Sequence, residues 1–391
     1  MTAQEIKPGY LFIANGSKPT AKQADYKGPI PIGSFGLSSV EAANALGYQL
    51  YYGINHNHPE GIECSNFPGT VFYDQHCYRD PFAIKDNWIA YKNTCRFLKE
   101  HPDIEVIHCN TPVGGLVGRL SGRKFKKKVI YTVHGFHFYK GAPLINRTVF
   151  KWLEQWLAHY TDAIITINHE DYEAAQKLHY KKGGRAYYVP GVGVNLDVFN
   201  DVVVDRKQKL SELGIPEDAS IGIVVGDLND NKNVETIVRA LPNVKKNFHV
   251  LICGVGPNKD SILQLATNLK TVDRVHLLGF RRDVKELLKV SDIYLFASKR
   301  EGLPRSTMEA MASGLPCVVS DIRGNRDLID DKGGFLIKAN DVSGYSEAMN
   351  KLIENSETRR RMGLYNKERI LDFDIKNVRK QMITIFQDIL R

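Results

Sequence analysis

Glu301 and Glu309 stand eight residues apart in Ser298-Lys-Arg-Glu-Gly-Leu-Pro-Arg-Ser-Thr-Met-Glu-Ala-Met-Ala-Ser-Gly-Leu-Pro-Cys-Val-Val-Ser320. The stretch reads as strand, loop, helix, strand. Apolar Ile293–Ala297 leads into it. Pro304 suits the first turn of a helix, where its missing N–H costs nothing, and Gly314 suits the position just past a helix end. Glu301 is then on the loop at the C-terminal edge of a sheet, and Glu309 about one turn inside the helix. Free amides at that helix N-terminus favour an anion such as a diphosphate. Taken alone, two glutamates at this spacing are an ordinary surface pair. Beside such amides they suit a nucleotide-sugar, with Glu309 accepting from both ribose hydroxyls and Glu301 from hydroxyls of the sugar.

Two further residues have chemistry to offer. His134 ends the apolar strand Val129–Val133, with Gly135 beside it and Phe136, Phe138 and Tyr139 behind as a candidate stacking wall. Parallel sheets bind ligands outside their C-terminal strand ends, although a lone histidine is more often structural. Lys232 lies in Gly226-Asp-Leu-Asn-Asp-Asn-Lys-Asn233, after the strand Ile221–Val225; its plain alternative is a surface lysine. Gly33-Ser34-Phe35-Gly36 closes a long loop, residues 15–34, and by itself reads as a plain turn. Gly254-Val-Gly256 alone is a weak phosphate signal. No metal is expected. The histidines and cysteines of residues 55–81 lack ligand spacing, and Asp372-Phe-Asp374 reads as the start of the last helix.

The elements that must position these residues alternate along the chain as short apolar strands and helices. That alternation predicts an α/β protein with parallel sheets. A length of 391 residues suggests two domains. Pro190–Phe199, with Gly191 and Gly193 for tight turns, reads as the crossover between Rossmann-like halves. The expected division is 1–197, 198–374 and a final helix at 375–391.

Composition excludes several classes. No apolar run approaches the ~20 residues of a membrane span, and Met1–Gly9 lacks the pattern of a signal peptide, so a cytoplasmic protein is expected. Six cysteines without a Cys-x-x-Cys pair read as reduced core residues. The net charge of +9 invites an anionic partner. Nucleic acid is not expected, because no recognition motif appears. The cluster Arg119–Lys128 reads as a solvated helix–strand connection, or as a patch for anionic lipid headgroups at ~1 kcal/mol per residue. Residues 143–159 form an amphipathic helix with Trp152 and Trp156. Packing on a core is the commoner outcome for such a helix; facing a membrane is the other.

The two glutamates, the Gly-Leu-Pro after the first and Glu-Ala-Met-Ala-Ser-Gly-Leu-Pro around the second resemble the E-x7-E motif of retaining, GT-B-fold glycosyltransferases of family 4. Ile107-His-Cys-Asn-Thr-Pro112, the segment from His134 to Pro143, and Ile165-Thr-Ile-Asn-His-Glu-Asp-Tyr172 resemble the capsular and exopolysaccharide members of that family. The resemblance covers nearly the whole chain. It implies two Rossmann-like domains facing a central cleft, the first binding acceptor, the second nucleotide-sugar, and the last helix crossing back to the first. It implies transfer, without cofactor or metal, from a nucleotide-sugar such as a UDP-sugar to a lipid-linked oligosaccharide. The expected location is cytoplasmic, with the basic cluster and the Trp152–Trp156 helix suggesting weak peripheral contact on the inner face of the plasma membrane. Carried over by position, Glu301 and His134 stand at the transferred sugar and Lys232 at the diphosphate. Glu309 stands at the ribose, and Gly226, Gly302, Leu303 and Pro304 line the donor. The backbone of Phe280 and Arg281 meets the base, with the Arg281 side chain able to approach phosphates. Gly33 and Ser34 lie near the donor phosphates and acceptor. Two departures stand out: there is no double glycine at 33–34, and Asp227 replaces an arginine that many members use on the phosphate.

The implied chemistry is front-face attack, with a phosphate oxygen of the leaving diphosphate taking the proton. Three rivals remain. A glycosidase needs both carboxylates flanking one bond ~5–9.5 Å apart, which a helical Glu309 fits poorly. An epimerase of related fold would interconvert UDP-sugars without acceptor. A scaffold would bind nucleotide and never turn it over.

Overall fold

Tyr10, Leu11, Phe12 and Ile13 are all buried, as a strand covered by helices on both faces requires. They form β1 (Gly9–Ile13) in the first of two units of this computed structural model, which describes residues 7–390. That unit comprises Met1–Val192 with Lys376–Arg391. After β1 come α1 (Ser34–Ala45), β2 (Gln49–Ile54), β3 (Val71–Asp74), α2 (Ile84–Glu100) and β4 (Ile104–Asn110). Then follow α3 (Pro112–Phe125), β5 (Lys128–Val133), α4 (Lys151–Ala158), β6 (Ala163–Thr166), α5 (His169–Gln176) and β7 (Arg185–Tyr188). All pairings are parallel, in the order β3-β2-β1-β4-β5-β6-β7. The strand order turns back between β1 and β4, the place where such sheets open a crevice. Helix α3 seats close to the sheet because its inner face is glycine: a Cβ at Gly122 would lie 2.2 Å from Val129 Cγ2, and one at Gly118 2.7 Å from Cys109 Sγ.

The second unit, Gly193–Ile375, holds β8 (Ser220–Val225), α6 (Val234–Ala240), β9 (Phe248–Cys253), β10 (Val275–Gly279) and β11 (Ile293–Phe296). It continues with α7 (Arg305–Ala312), β12 (Cys317–Ser320), α8 (Arg323–Leu328) and β13 (Gly334–Ile337). Its sheet is also parallel, ordered β10-β9-β8-β11-β12-β13, with the switch between β8 and β11. The last helix, α9 (Ile375–Leu390), returns to the first unit. There Phe386 packs on Tyr10 and Arg379 pairs with Glu41.

Several expectations change. Residues 55–81, for which the sequence suggests no strand, contain β3, and the loop 15–34 contains a helical turn, Ala21–Ala24, opened by a capping box of Thr20 and Gln23. Pro304 is the residue before the first helical turn of α7 and not within it. Gly314 does end α7, at φ +79°, with Gly314 N–H on Met311 O and Leu315 N–H on Ala310 O. Arg119 is no part of a surface patch. It is fully buried, 2.7 Å from Glu154 of α4 and 4.0 Å above the Tyr131 ring. Lys124 and Lys126 stay exposed. The helix after residue 143 opens with a π-helical turn (Asn146–Phe150) and is only half core: Leu157 and Ala158 are buried, while Trp152 is 68% exposed. Phe136 is a core residue stacked on Phe138, not a wall for a sugar. The six cysteines are buried and unpaired. Among the described residues no helix is long and apolar enough to cross a membrane. Residues 1–6, on which the reading of the N-terminus partly rests, lie outside the described residues.

Candidate active site

At the switch point of the second sheet, the loops after β8 and β11 are stitched together. Asn231 Nδ2 donates to Ser298 Oγ at 3.2 Å and to Arg300 O at 3.0 Å, and Lys299 N–H donates to Asn231 O at 2.8 Å. Asn233, held at φ 53°, donates its side-chain amide to Ala297 O and Ala339 O. This lacing brings Lys232 and Glu301 together: Nζ lies 2.7 Å from Glu301 Oε1, and Ser298 Oγ donates to the same oxygen at 2.6 Å. Glu301 Oε2 keeps no protein partner among the described residues. Gly226, at φ 153°, lies beneath the Lys232 stem. Gly254-Val-Gly256 serves packing: a Cβ at Gly254 would fall 1.8 Å from Gly226 O, and one at Gly256 2.2 Å from Leu228 O.

Glu301-Gly302-Leu303-Pro304 leads straight into α7, with Leu303 and Pro304 buried. No side chain caps that helix among the described residues, so its first amides remain available to an anion. Glu309, one turn in, is shielded from water and accepts from Arg305 Nε at 3.0 Å. Burial raises its carboxyl pKa, and the Arg305 charge and hydrogen bond partly offset the rise. The loop is backed by α8, where Arg323 Nε donates to Glu301 O at 3.0 Å and Gly324 lets the helix approach Gly302 O. Phe280 is exposed just after β10. The Arg281 guanidinium makes a two-point pair with Asp283, 2.8 and 2.6 Å, which uses two of its five N–H donors.

In the first unit His134 stands at the end of β5, beside the switch between β1 and β4. The loop that carries it is pinned by Asp171, at the start of α5, which accepts from Phe136 N–H. Asn168 caps the same helix through Asp171 N–H at 2.8 Å. His134 lines a cavity of about 410 Å³ with Asn15, Gly33, Arg79, Asn110 and His137. Both His134 ring nitrogens, Asn15 Oδ1 and Asn110 Oδ1 are buried without hydrogen-bond partners among the described residues. Buried polar atoms without partners are rare and mark places where a ligand or water completes them. Burial, helped by Arg79, pushes the His134 pKa down to about 4, so the ring is neutral at pH 7. Phe35 meets it edge-on at 5.3 Å. Gly33 sits here as the cap of α1, where a Cβ would touch nothing. Ser34 is the first residue of α1, and its side chain lies outside the described residues.

Lys232, Glu301 and Gly226 are therefore brought together, with Gly302 to Pro304 and Glu309 on the adjoining loop and helix. Sequence reasoning missed Ser298, Asn231 and Arg305, which hold the glutamates, and Asn15, Asn110 and Arg79, which share the His134 cavity. Asn15 and Asn110 had a legible signal, as polar residues at the ends of apolar strands. Arg79 had none.

Residues 64–195 match the family described as Glycosyltransferase Family 4, and residues 205–369 the family described as Glycosyl transferases group 1. The chain is 34% identical over 316 residues to "Putative glycosyltransferase EpsD" of Bacillus subtilis (strain 168), covering 79% of this chain and 82% of that protein. It is 28% identical over 295 residues to UDP-Gal:alpha-D-GlcNAc-diphosphoundecaprenol alpha-1,3-galactosyltransferase of Escherichia coli, covering 73% of each. Among solved structures, Anabaena HepE in complex with UDP-glucose superposes with a TM-score of 0.75 at 16% identity, over 97% of this chain and 99% of that one. Two parallel sheets flanked by helices, the paired motifs on their switch-point loops and these similarities make the chain a GT-B-fold glycosyltransferase of family 4.

Proposed function

We propose that this glycosyltransferase moves a sugar, with retention of configuration, from a UDP-sugar held by the second unit to a lipid-linked oligosaccharide held by the first. The observation that carries the reading is the Lys232–Glu301 pair at a switch point, beside the uncapped start of α7. The names of the galactosyltransferase and of the HepE complex, which specify UDP-Gal and UDP-glucose, support the donor. The diphosphoundecaprenol in the first of those names supports the acceptor. Lys232 has three N–H donors and spends one on Glu301, leaving the rest for a diphosphate. Glu309 and Arg305 take the ribose end, the backbone of Phe280 and Arg281 takes the base, and Glu301 Oε2 accepts from a sugar hydroxyl. His134, being neutral, can both donate to and accept from hydroxyls. Asp227 leaves the amides of α7 and Lys232 with more of the phosphate charge to hold.

In the reaction, the bond from the anomeric carbon to the diphosphate oxygen breaks, and its electron pair stays on the diphosphate. The acceptor hydroxyl forms the new bond on the same face, and its proton passes to a phosphate oxygen. What the protein supplies is positive potential on the leaving group, from Lys232 and the helix amides. The exposed Leu144, Ile145, Val149 and Trp152, interspersed with Arg147 and Lys151, suit peripheral contact with an anionic membrane at the cytoplasmic face.

The test is thermal stabilisation by a panel of nucleotide-sugars, with EDTA present, followed by product analysis with the stabilising donor. A true donor at 100 times its Kd raises stability by ~2.7 kcal/mol. The expected product keeps the donor's anomeric configuration and forms only when acceptor is added. Inversion, release of free sugar, epimerised donor without acceptor, or a need for divalent metal would each overturn the reading.

A further inference from the structure

An apolar groove of the first unit lies between α2 and α3, outside the site described above. Its walls are Ile84, Trp88 and Tyr91, spaced along one face of α2, and Leu116 and Leu120 of α3. The groove encloses about 660 Å³. Ile84 is 79% and Trp88 55% exposed, and the Trp88 and Tyr91 rings stack at 5.5 Å. Large aromatic and aliphatic side chains left bare along a groove mark a place where something apolar docks.

The groove is not isolated from the His134 cavity. A small intervening cavity of about 110 Å³ shares Pro81, Asn87 and Leu116 with the groove. It shares Pro81, Val113, His137 and Phe150 with the His134 cavity. The three share walls and lie in sequence, as a trough that runs from buried, unpartnered polar atoms to bare hydrocarbon. Helix α3 runs along it from Pro112 to Lys124, about 18 Å at 1.5 Å per residue. Among the described residues the trough's one lining carboxylate, Glu154, is tied to Arg119, and its other charges are positive. Arg79 at the polar end, and Lys92, Arg123 and Lys124 along the rim, have no carboxylate partner among the described residues. Lys92 sits instead over Trp88 and Lys124 over Tyr91, at 5.5 and 5.9 Å, while Arg123 donates to the Tyr160 hydroxyl.

We propose that the α2–α3 groove seats the isoprenoid chain of the lipid-linked acceptor, with its diphosphate at Arg79 and its sugar against Asn15, Asn110 and His134. This rests on the acceptor reading above and adds the site of the lipid. The occupant must be apolar along most of its length, anionic at one joint and hydroxylated at the end. A lipid-linked sugar has those three parts in that order, and the trough offers matching surfaces in the same order. A bilayer surface would not enter a trough that ends on buried polar atoms.

The test uses Trp88 as reporter. The chain has three tryptophans, so Trp152→Phe with Trp156→Phe leaves Trp88 alone. Farnesyl diphosphate should shift its emission saturably, inorganic diphosphate should not, and Leu120→Glu should weaken the response at least ~10-fold, about 1.4 kcal/mol. No response to farnesyl diphosphate, an equal response to inorganic diphosphate, or a response to phosphatidylglycerol vesicles alone would overturn the assignment. In turnover assays, Trp88→Ala should raise KM for a long-chain acceptor while leaving kcat and the donor KM unchanged. An equal loss on long- and short-chain acceptors would also overturn it. If Trp88 responds as expected but no lipid-linked saccharide is ever glycosylated, the groove stands and the acceptor reading falls.

Discussion

The two motif glutamates should fail in different ways when each is changed to glutamine. In Glu301→Gln the amide oxygen can still accept from Ser298 and Lys232, which meet one oxygen at 2.6 and 2.7 Å. The fold should therefore survive. The lost charge matters more: at 2.7 Å and an effective dielectric of ~20, the Lys232–Glu301 attraction is about 6 kcal/mol before desolvation is subtracted. Relieving it leaves Lys232 freer to turn to a diphosphate, so UDP should bind as tightly as before, or more tightly. The amide nitrogen, however, replaces the unpartnered Oε2 that would face the sugar. Losing one contact that strengthens in the transition state costs ~2.7–4 kcal/mol, or 10²–10³ in kcat. Glu309 is different, because it sits a helical turn away and, in the role proposed for it, would hold the ribose equally in ground and transition states. Replacing its charge by a neutral acceptor should forfeit about 1–2 kcal/mol of binding, a 5- to 30-fold weaker Kd for UDP and a matching rise in donor KM, with kcat nearly intact. Steady-state kinetics with calorimetry of UDP binding reads both. If Glu301→Gln abolishes UDP binding while Glu309→Gln spares it, the donor has been placed backwards and the assignment must be withdrawn.

Three further outcomes are expected. His134 titrates near 6.5 in the unfolded chain and near 4 in the folded one, so the unfolded state binds the extra proton between those values. Its contribution is complete above pH 6.5 and is lost as pH falls toward 4, about 3 kcal/mol in all; denaturant titrations should show His134→Gln losing less stability than the parent between pH 7 and 5, and parallel curves would refute a neutral buried ring. Glu154→Ala strands the buried Arg119 charge and should cost ~3–5 kcal/mol, seen as a fall of roughly 10 °C in Tm, whereas replacing both partners by methionine should recover most of it; a negligible loss in the single variant would show that the pair is solvated. Flotation should recover the protein with anionic but not neutral vesicles, and high salt should weaken recovery; equal recovery with both would remove the membrane contact.

Much of the local structure around Glu301 and Glu309 was legible because its parts are consecutive in the chain. Strand, loop, uncapped helix and closing glycine each follow from local propensity within twenty-odd residues, so the relation of Glu301 to Glu309 is a matter of helical geometry. The alternation of strands and helices likewise implied parallel sheets, and the spacing of short apolar runs located most of their strands. β3 and β13 are four residues each and only partly buried, so they lack the run of apolar residues that marks β11. What stayed hidden depends on partners distant in sequence. Nothing local says that Lys232 will neutralise Glu301 across 69 residues or that Asn231 will reach Ser298 and Arg300. Arg119 looked like one more cation in a basic run, and only the packing of α4 on α3 put Glu154 against it and made it core. The crevice lined by Asn15, Asn110 and His134 likewise exists only because three strand ends from separate parts of the chain are neighbours in one sheet. Local sequence sets which backbone conformations are cheap; which polar atoms end up buried, paired or left waiting for a ligand is decided only when the sheet order is assembled.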